Sequence, residues 1–195
     1  MRAVGQGGDE GTWTYQNTAI QQPADWERLP VLDPAAGALD QARQAVKSVC
    51  QAVGPDTPVL MTLFSPLAQA KNLAGPSLLP HLRQHPDAVQ AGLEIITHSV
   101  LRFVDALADT GIAGIFYAVQ LAEPSRLSRA EYAQFGQPLD MRILTAAGGF
   151  WFNMLHAHGL NVYFDLLAGY PVQALNWHDR EGGPSLTARG ALFPG

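Results

Sequence analysis

The sequence predicts an α/β fold, a parallel sheet with helices packed outside it. Three observations carry that expectation. Val89, Leu93, Ile96, Val100, Phe103 and Leu107 form one apolar helical stripe, and this helix runs straight into the nearly continuous apolar stretch from Ile112 to Val119. Strands buried on both faces have that appearance, and they belong to parallel sheets covered by crossover helices. The same alternation of helix and strand then recurs toward the C-terminus. Finally, the chain has 195 residues, 47% hydrophobic and 15% charged, enough for one sizeable core and short of two ordinary domains.

Residues 1–25 are weakly patterned and read as an irregular N-terminal arm, in which Thr12-Trp13-Thr14-Tyr15 is a candidate short strand. Asp25-Trp26-Glu27 reads as a helical turn before the break at Leu29-Pro30. Leu39, Ala42, Val46, Val49 and Val53 recur at spacings of three and four, predicting a helix over 38–53 that Gly54-Pro55 stops. A buried strand follows over 59–64, ended by Ser65-Pro66. The long helix over 86–110 opens at His85-Pro86, where the missing proline N–H had no intrahelical partner, and Gly111 is its C-cap. After the strand over 112–119, Ser128-Arg129-Ala130-Glu131 has capping-box spacing and opens a helix over 129–135. A further helix spans 139–147, a strand spans 150–156, Asn161 caps a short helix through Leu167, and a last strand spans 174–177. This number of strands suits an open sheet, or a piece of a closed eight-stranded barrel.

Charge and cysteine usage narrow the partners. The net charge is −5, from 12 basic and 17 acidic residues, and no stretch gathers the Lys/Arg patch that a phosphate backbone requires, so nucleic acid is not expected. The single cysteine, Cys50, cannot form an internal disulfide framework and fits a reducing compartment; on its helical stripe it reads as small-residue packing. The first residues lack the apolar core of a signal peptide, and no apolar run has membrane-spanning length. A soluble, cytoplasmic domain without a membrane partner is expected.

Two histidine-bearing segments carry the chemistry. In Leu155-His156-Ala157-His158-Gly159, a strand persisting through His158 puts both imidazoles on one face, at the end where α/β enzymes place active groups. They can share a metal or grip an anionic substrate; alternatively one is a buried histidine bonded to a carbonyl and the other is exposed. A zinc site needs at least a third ligand. In Asn176-Trp177-His178-Asp179-Arg180-Glu181, Asn176 and His178 face one way, Trp177 and Asp179 the other. His178 can complete a three-histidine site or serve catalysis, Asp179 can orient an imidazole or serve catalysis, or Asp179 and Arg180 simply face water. Tyr117 and Gln120 flank the end of their strand and are candidates for the cavity wall, Tyr117 as a catalytic proton donor and Gln120 as a substrate contact; alternatively Tyr117 packs in the core with its hydroxyl satisfied. Ser65 is either a substrate contact or only the cap of a helix starting at Pro66. Asn176 is a further candidate substrate contact. Phosphate-binding loops, the G-x-S-x-G elbow and C-x-x-C are all lacking from the sequence.

Four segments, Gly114–Gln120, Glu131-Tyr132-Ala133-Gln134-Phe135-Gly136, Leu155–Gly159 and Leu175–Glu181, resemble the uroporphyrinogen decarboxylase family and occur in its order. Tyr132 and Phe135 resemble its acidic-tyrosine-x-x-phenylalanine element, and Leu60–Gly75 its strand and substrate loop. The resemblance implies a (β/α)₈ barrel, present over 26–195 as a partial barrel with parallel strands, outer helices and two open edges through which copies could associate. It implies a small-molecule substrate and one of two chemistries. Decarboxylases of the family remove the carboxyl groups of the acetate arms of a tetrapyrrole without metal or cofactor. Related methyltransferases move a methyl group between a corrinoid and a thiol using zinc, and carry histidine-x-cysteine where this chain has His156-Ala157-His158. The decarboxylases' arginine-rich segment and early strand-end aspartate have no counterpart here. An inactive fragment is the remaining alternative.

Overall fold

A computed structural model of the chain describes residues 18–180 and 183–185; the candidate strand at 12–15 and the last ten residues lie outside them. The apolar runs form four strands: β1 (Leu60–Phe64), β2 (Gly114–Val119), β3 (Met154–Ala157) and β4 (Ala174–Trp177). Their order in the sheet is β1-β2-β3-β4, and every neighbouring pair is parallel. Strand order that follows the chain without reversing distinguishes a stretch of (β/α) barrel from a doubly wound sheet, which reverses at its switch point. The fold is therefore α/β, a partial barrel. Among the described residues, β1 and β4 each pair on one side only.

Helices line one face of this sheet. α1 (Gly37–Val53) precedes β1. Between β1 and β2 run α2 (Pro66–Ala74), α3 (Leu78–Gln84) and α4 (Pro86–Ala106). α5 (Arg129–Phe135) and α6 (Gln137–Ala146) connect β2 to β3, and α7 (Phe164–Leu167) connects β3 to β4. Outward-pointing Leu63, Ile115, Val119, Leu155 and Ala157 are buried beneath them, as is the whole predicted stripe of α4. The strand residues of opposite parity fare differently: Thr62, Phe64 and Asn176 are exposed, and Phe116, Met154 and His156 are half-buried. This open face is the inner face of the barrel.

Several elements follow their sequence signals closely. The capping box of α5 forms as expected: Glu131 N–H donates to Ser128 Oγ at 3.2 Å and Ser128 N–H to Glu131 Oε2 at 2.7 Å. The turn at Asp25-Trp26-Glu27 is a 3₁₀ helix, Pro23–Arg28. Its Trp26 is fully buried against α4 and donates through Nε1 to His81 Nδ1 at 3.1 Å, and Ile20 just before it is also buried. α1 forms, but Val49 and Val53 of its stripe are exposed. This helix is tied to the end of α4 by Arg43 and Lys47, at 3.6 and 3.4 Å from Asp109, and covers little of the sheet itself.

Two expectations change. The strand predicted over 150–156 begins only at Met154. Phe150 N–H closes a turn onto Ala147 O at 3.0 Å, and the buried Asn153 side chain replaces ladder contacts, accepting from Ile115 N–H at 3.0 Å and donating to Ala147 O at 2.9 Å. Gly114 makes room for this connection: a Cβ there would lie 2.0 Å from Phe152 O. Asn161 does not cap α7; it takes φ of +56° in the connecting loop, and Tyr163 occupies the cap position. Among the described residues no helix is long and apolar enough to cross a membrane.

Candidate functional site

The inner face converges on three imidazoles at the C-terminal ends of β3 and β4. Register pairs Ala118 with His156 and His156 with Asn176, so alternation brings His156, His158 and His178 to one side. One potential ligand nitrogen from each lies within 4.8 Å of those of the other two. Ring centroids are 5.7 Å apart for His156 and His158, 6.0 Å for His156 and His178, and 5.9 Å for His158 and His178. Phe116 stacks on His156, with centroids 5.2 Å apart and ring planes at 23°. On its other flank His156 Nδ1 meets Asn176 Oδ1 at 2.6 Å.

The surroundings of His158 favour its neutral form. Its pKa is lowered, first by the loss of water around the ring, then by the charges of His156, His178 and Lys71, with Glu123 acting in the opposite sense. A neutral imidazole offers a lone pair, and an imidazolium does not.

The loop after His158 is held by Glu123, a residue that no sequence motif singles out. Glu123 is buried, accepts Leu160 N–H at 2.7 Å, and pairs with Arg126 at 3.5 Å. Gly159 beside it has φ of +127°, and a Cβ there would lie 2.7 Å from Glu123 Oε2, so both backbone shape and space exclude a side chain. The signal that could have found it is an acidic residue just past β2, where barrel strands deliver functional groups.

Other sequence candidates go elsewhere. Tyr117 lies on the outer face, opposite the histidines. It is fully buried, and its hydroxyl donates to Asp140 Oδ1 at 2.6 Å. Tyr132 and Tyr170 donate to Asp140 Oδ2 at 2.6 and 2.9 Å, completing a buried cluster behind the sheet. Burial raises the Asp140 carboxyl to about 6, with the three hydroxyls pulling it the other way. Burial beside that carboxylate also pushes the phenols of Tyr117, Tyr132 and Tyr170 up. Gln120 follows β2 in the inner-face parity of Phe116 and Ala118 and is half-buried. Ser65 is buried and caps α2, accepting Ala68 N–H at 3.2 Å. Asp179 lines an outer hollow with Val162, Phe164 and Arg180, in the same parity as Trp177, whose ring packs on Phe164 at 5.9 Å. It is not brought together with the imidazoles.

Residues 7–181 match the family described as uroporphyrinogen decarboxylase (URO-D). The chain belongs to the uroporphyrinogen decarboxylase family. Among solved structures, a methyltransferase from Methanosarcina mazei superposes with a TM-score of 0.66 at 21% identity, over 75% of this chain and 44% of that one. This likeness shows the shared fold, and the chain spans 44% of the methyltransferase's length. No curated protein matches the sequence.

The three imidazoles fit a zinc ion as a donor set. Two nitrogens each bonded to zinc at about 2.0–2.1 Å lie no more than about 4 Å apart, so small side-chain rotations bring a group already within 4.8 Å into range.

Proposed function

We propose that the chain belongs to the methyl-transferring side of its family, with His156, His158 and His178 holding zinc and a thiol as the methyl acceptor. The observation that carries this reading is the convergence of three imidazole nitrogens within 4.8 Å on the open inner face. Zinc held there would supply a Lewis acid that lowers the pKa of a bound thiol. The chain's own residues do the rest. The imidazoles bring no negative charge, so the ion's full charge is available to a thiolate. Phe116 fixes the plane of the His156 ring, and Glu123 holds the loop that presents His158. Thr62, Phe64, Phe116 and Met154 leave a broad, partly apolar wall beside the cluster, suited to a flat macrocyclic methyl donor.

Decarboxylation of a tetrapyrrole receives less support. Stabilising a cationic ring intermediate calls for a carboxylate aimed at it. Asp179, the strand-end candidate, sits in the outer hollow instead. The deciding experiment supplies the zinc-loaded protein with methylcobalamin and a small thiol, and in parallel with uroporphyrinogen III. The proposal expects a methyl thioether that disappears on chelation. Metal-independent coproporphyrinogen formation, or no methyl transfer from zinc-loaded protein, would overturn it.

A further inference from the structure

We infer that Asn176 is a positioning residue that selects which nitrogen of His156 is free to bind metal, an inference that rests on the zinc reading above. His156 and Asn176 are direct partners across the β3–β4 ladder, so their side chains leave the inner face side by side. Nδ1 and Oδ1 lie 2.6 Å apart, a full hydrogen bond. A carbonyl oxygen can only accept, so Nδ1 carries the proton and Nε2 keeps its lone pair. Phe116, stacked on the same ring, restricts rotation that would exchange the two nitrogens.

The chemistry of asparagine suits this task better than that of a carboxylate. An aspartate would also accept from Nδ1, but its charge would favour the imidazolium and reduce the net charge around the ion. Asparagine sets the tautomer while leaving the donor set neutral. Among the described residues, neither His158 nor His178 has a side-chain hydrogen bond of this kind, so His156 is the preorganised ligand around which the other two close.

The test compares wild type with Asn176→Leu, of similar size but without an acceptor, and Asn176→Asp, which restores one. Long-range ¹H–¹⁵N spectra of the metal-free protein above pH 7.5 report the tautomer, and competition with a chromogenic chelator reports zinc affinity. The expected results are an Nδ1–H tautomer for His156 in wild type, lost in Asn176→Leu. Zinc affinity should fall about 10–100-fold in Asn176→Leu and recover in Asn176→Asp. A wild-type His156 protonated on Nε2 would overturn the inference, as would unchanged zinc affinity in an Asn176→Leu variant with wild-type circular dichroism. If wild type binds no zinc, the zinc reading fails and carries this role with it. If wild type binds zinc and Asn176→Leu binds it equally, only the positioning role fails. Should Asn176→Leu not fold, the wild-type tautomer and Asn176→Asp affinity still decide.

Discussion

The two faces of one sheet carry two polar clusters built on opposite rules. Behind the sheet, Asp140 is almost wholly excluded from water, and three tyrosine hydroxyls from β2, α5 and the loop before β4 satisfy it. In front, His156, His158 and His178 crowd together half-buried or exposed, with one side-chain hydrogen-bond partner among the described residues, Asn176. A buried polar group must be bonded or it costs free energy, so the rear cluster is saturated and joins elements of the fold. The front cluster keeps unshared lone pairs next to solvent, and that is what ligand binding requires. Strand alternation places these clusters back to back: Tyr117 and His156 are both strand residues, one position out of register.

Breaking the rear cluster has the largest expected effect on stability. Asp140→Ala removes the acceptor of three buried hydroxyls, of which Tyr132 and Tyr170, 2.9 Å apart, can still bond each other, and it opens a void. It should therefore lower unfolding free energy by several kcal/mol, at about 1–3 kcal/mol for each group left stranded. Denaturant titration measures this, and zinc affinity in any protein still folded should be nearly unchanged. Removing one donor is milder. Tyr117→Phe should cost about 1.5–3 kcal/mol, the range for hydrogen bonds to charged groups. A fully surface-directed Tyr117 would give a value near zero instead.

The same carboxylate gives the comparison a pH signature. Its pKa is raised from 3.8 to about 6 in the folded chain, so the folded state holds the proton more tightly. The Asp140 contribution is therefore greatest below about 3.8 and is lost as pH rises through about 6. Wild type minus Asp140→Asn, followed by denaturation across that window, should show this downward trend with increasing pH; a difference that is flat or rises would contradict the assignment.

Front-face substitutions should barely move stability. His158→Ala and His178→Ala are exposed changes, expected within about 0.5 kcal/mol by thermal denaturation. Their effect belongs in metal binding. A loss of more than about 2 kcal/mol would mean that the imidazoles serve the fold, erasing the contrast between the faces.

Much of this architecture is legible in the residues. Apolar runs with Gly/Pro punctuation locate the strands, and the stripe of α4 locates its helix. Period-two alternation by itself puts His156 and His158 on one face and offers His178 as their third partner. The same rule applies to Tyr117 and Gln120: three residues apart along an extended chain, they cannot share a wall, and Tyr117 has the parity of the buried Ile115 and Val119. The aromatic run Phe150–Phe152 imitates a strand, but Phe150 N–H turns back onto Ala147 O and the Asn153 side chain takes the Ile115 N–H, a long-range bond that local pattern does not encode. The extents of α2 and α3 are obscured by the break at Gly75-Pro76, and Glu123 by its separation of 37 residues from the loop it holds.

The most direct test of the contrast is zinc titration of metal-free protein, in wild type, His156→Ala and Tyr117→Phe. One equivalent of zinc is expected in wild type and in Tyr117→Phe, with loss of that binding in His156→Ala. Stoichiometric binding that survives His156→Ala, or no binding in wild type, would contradict it.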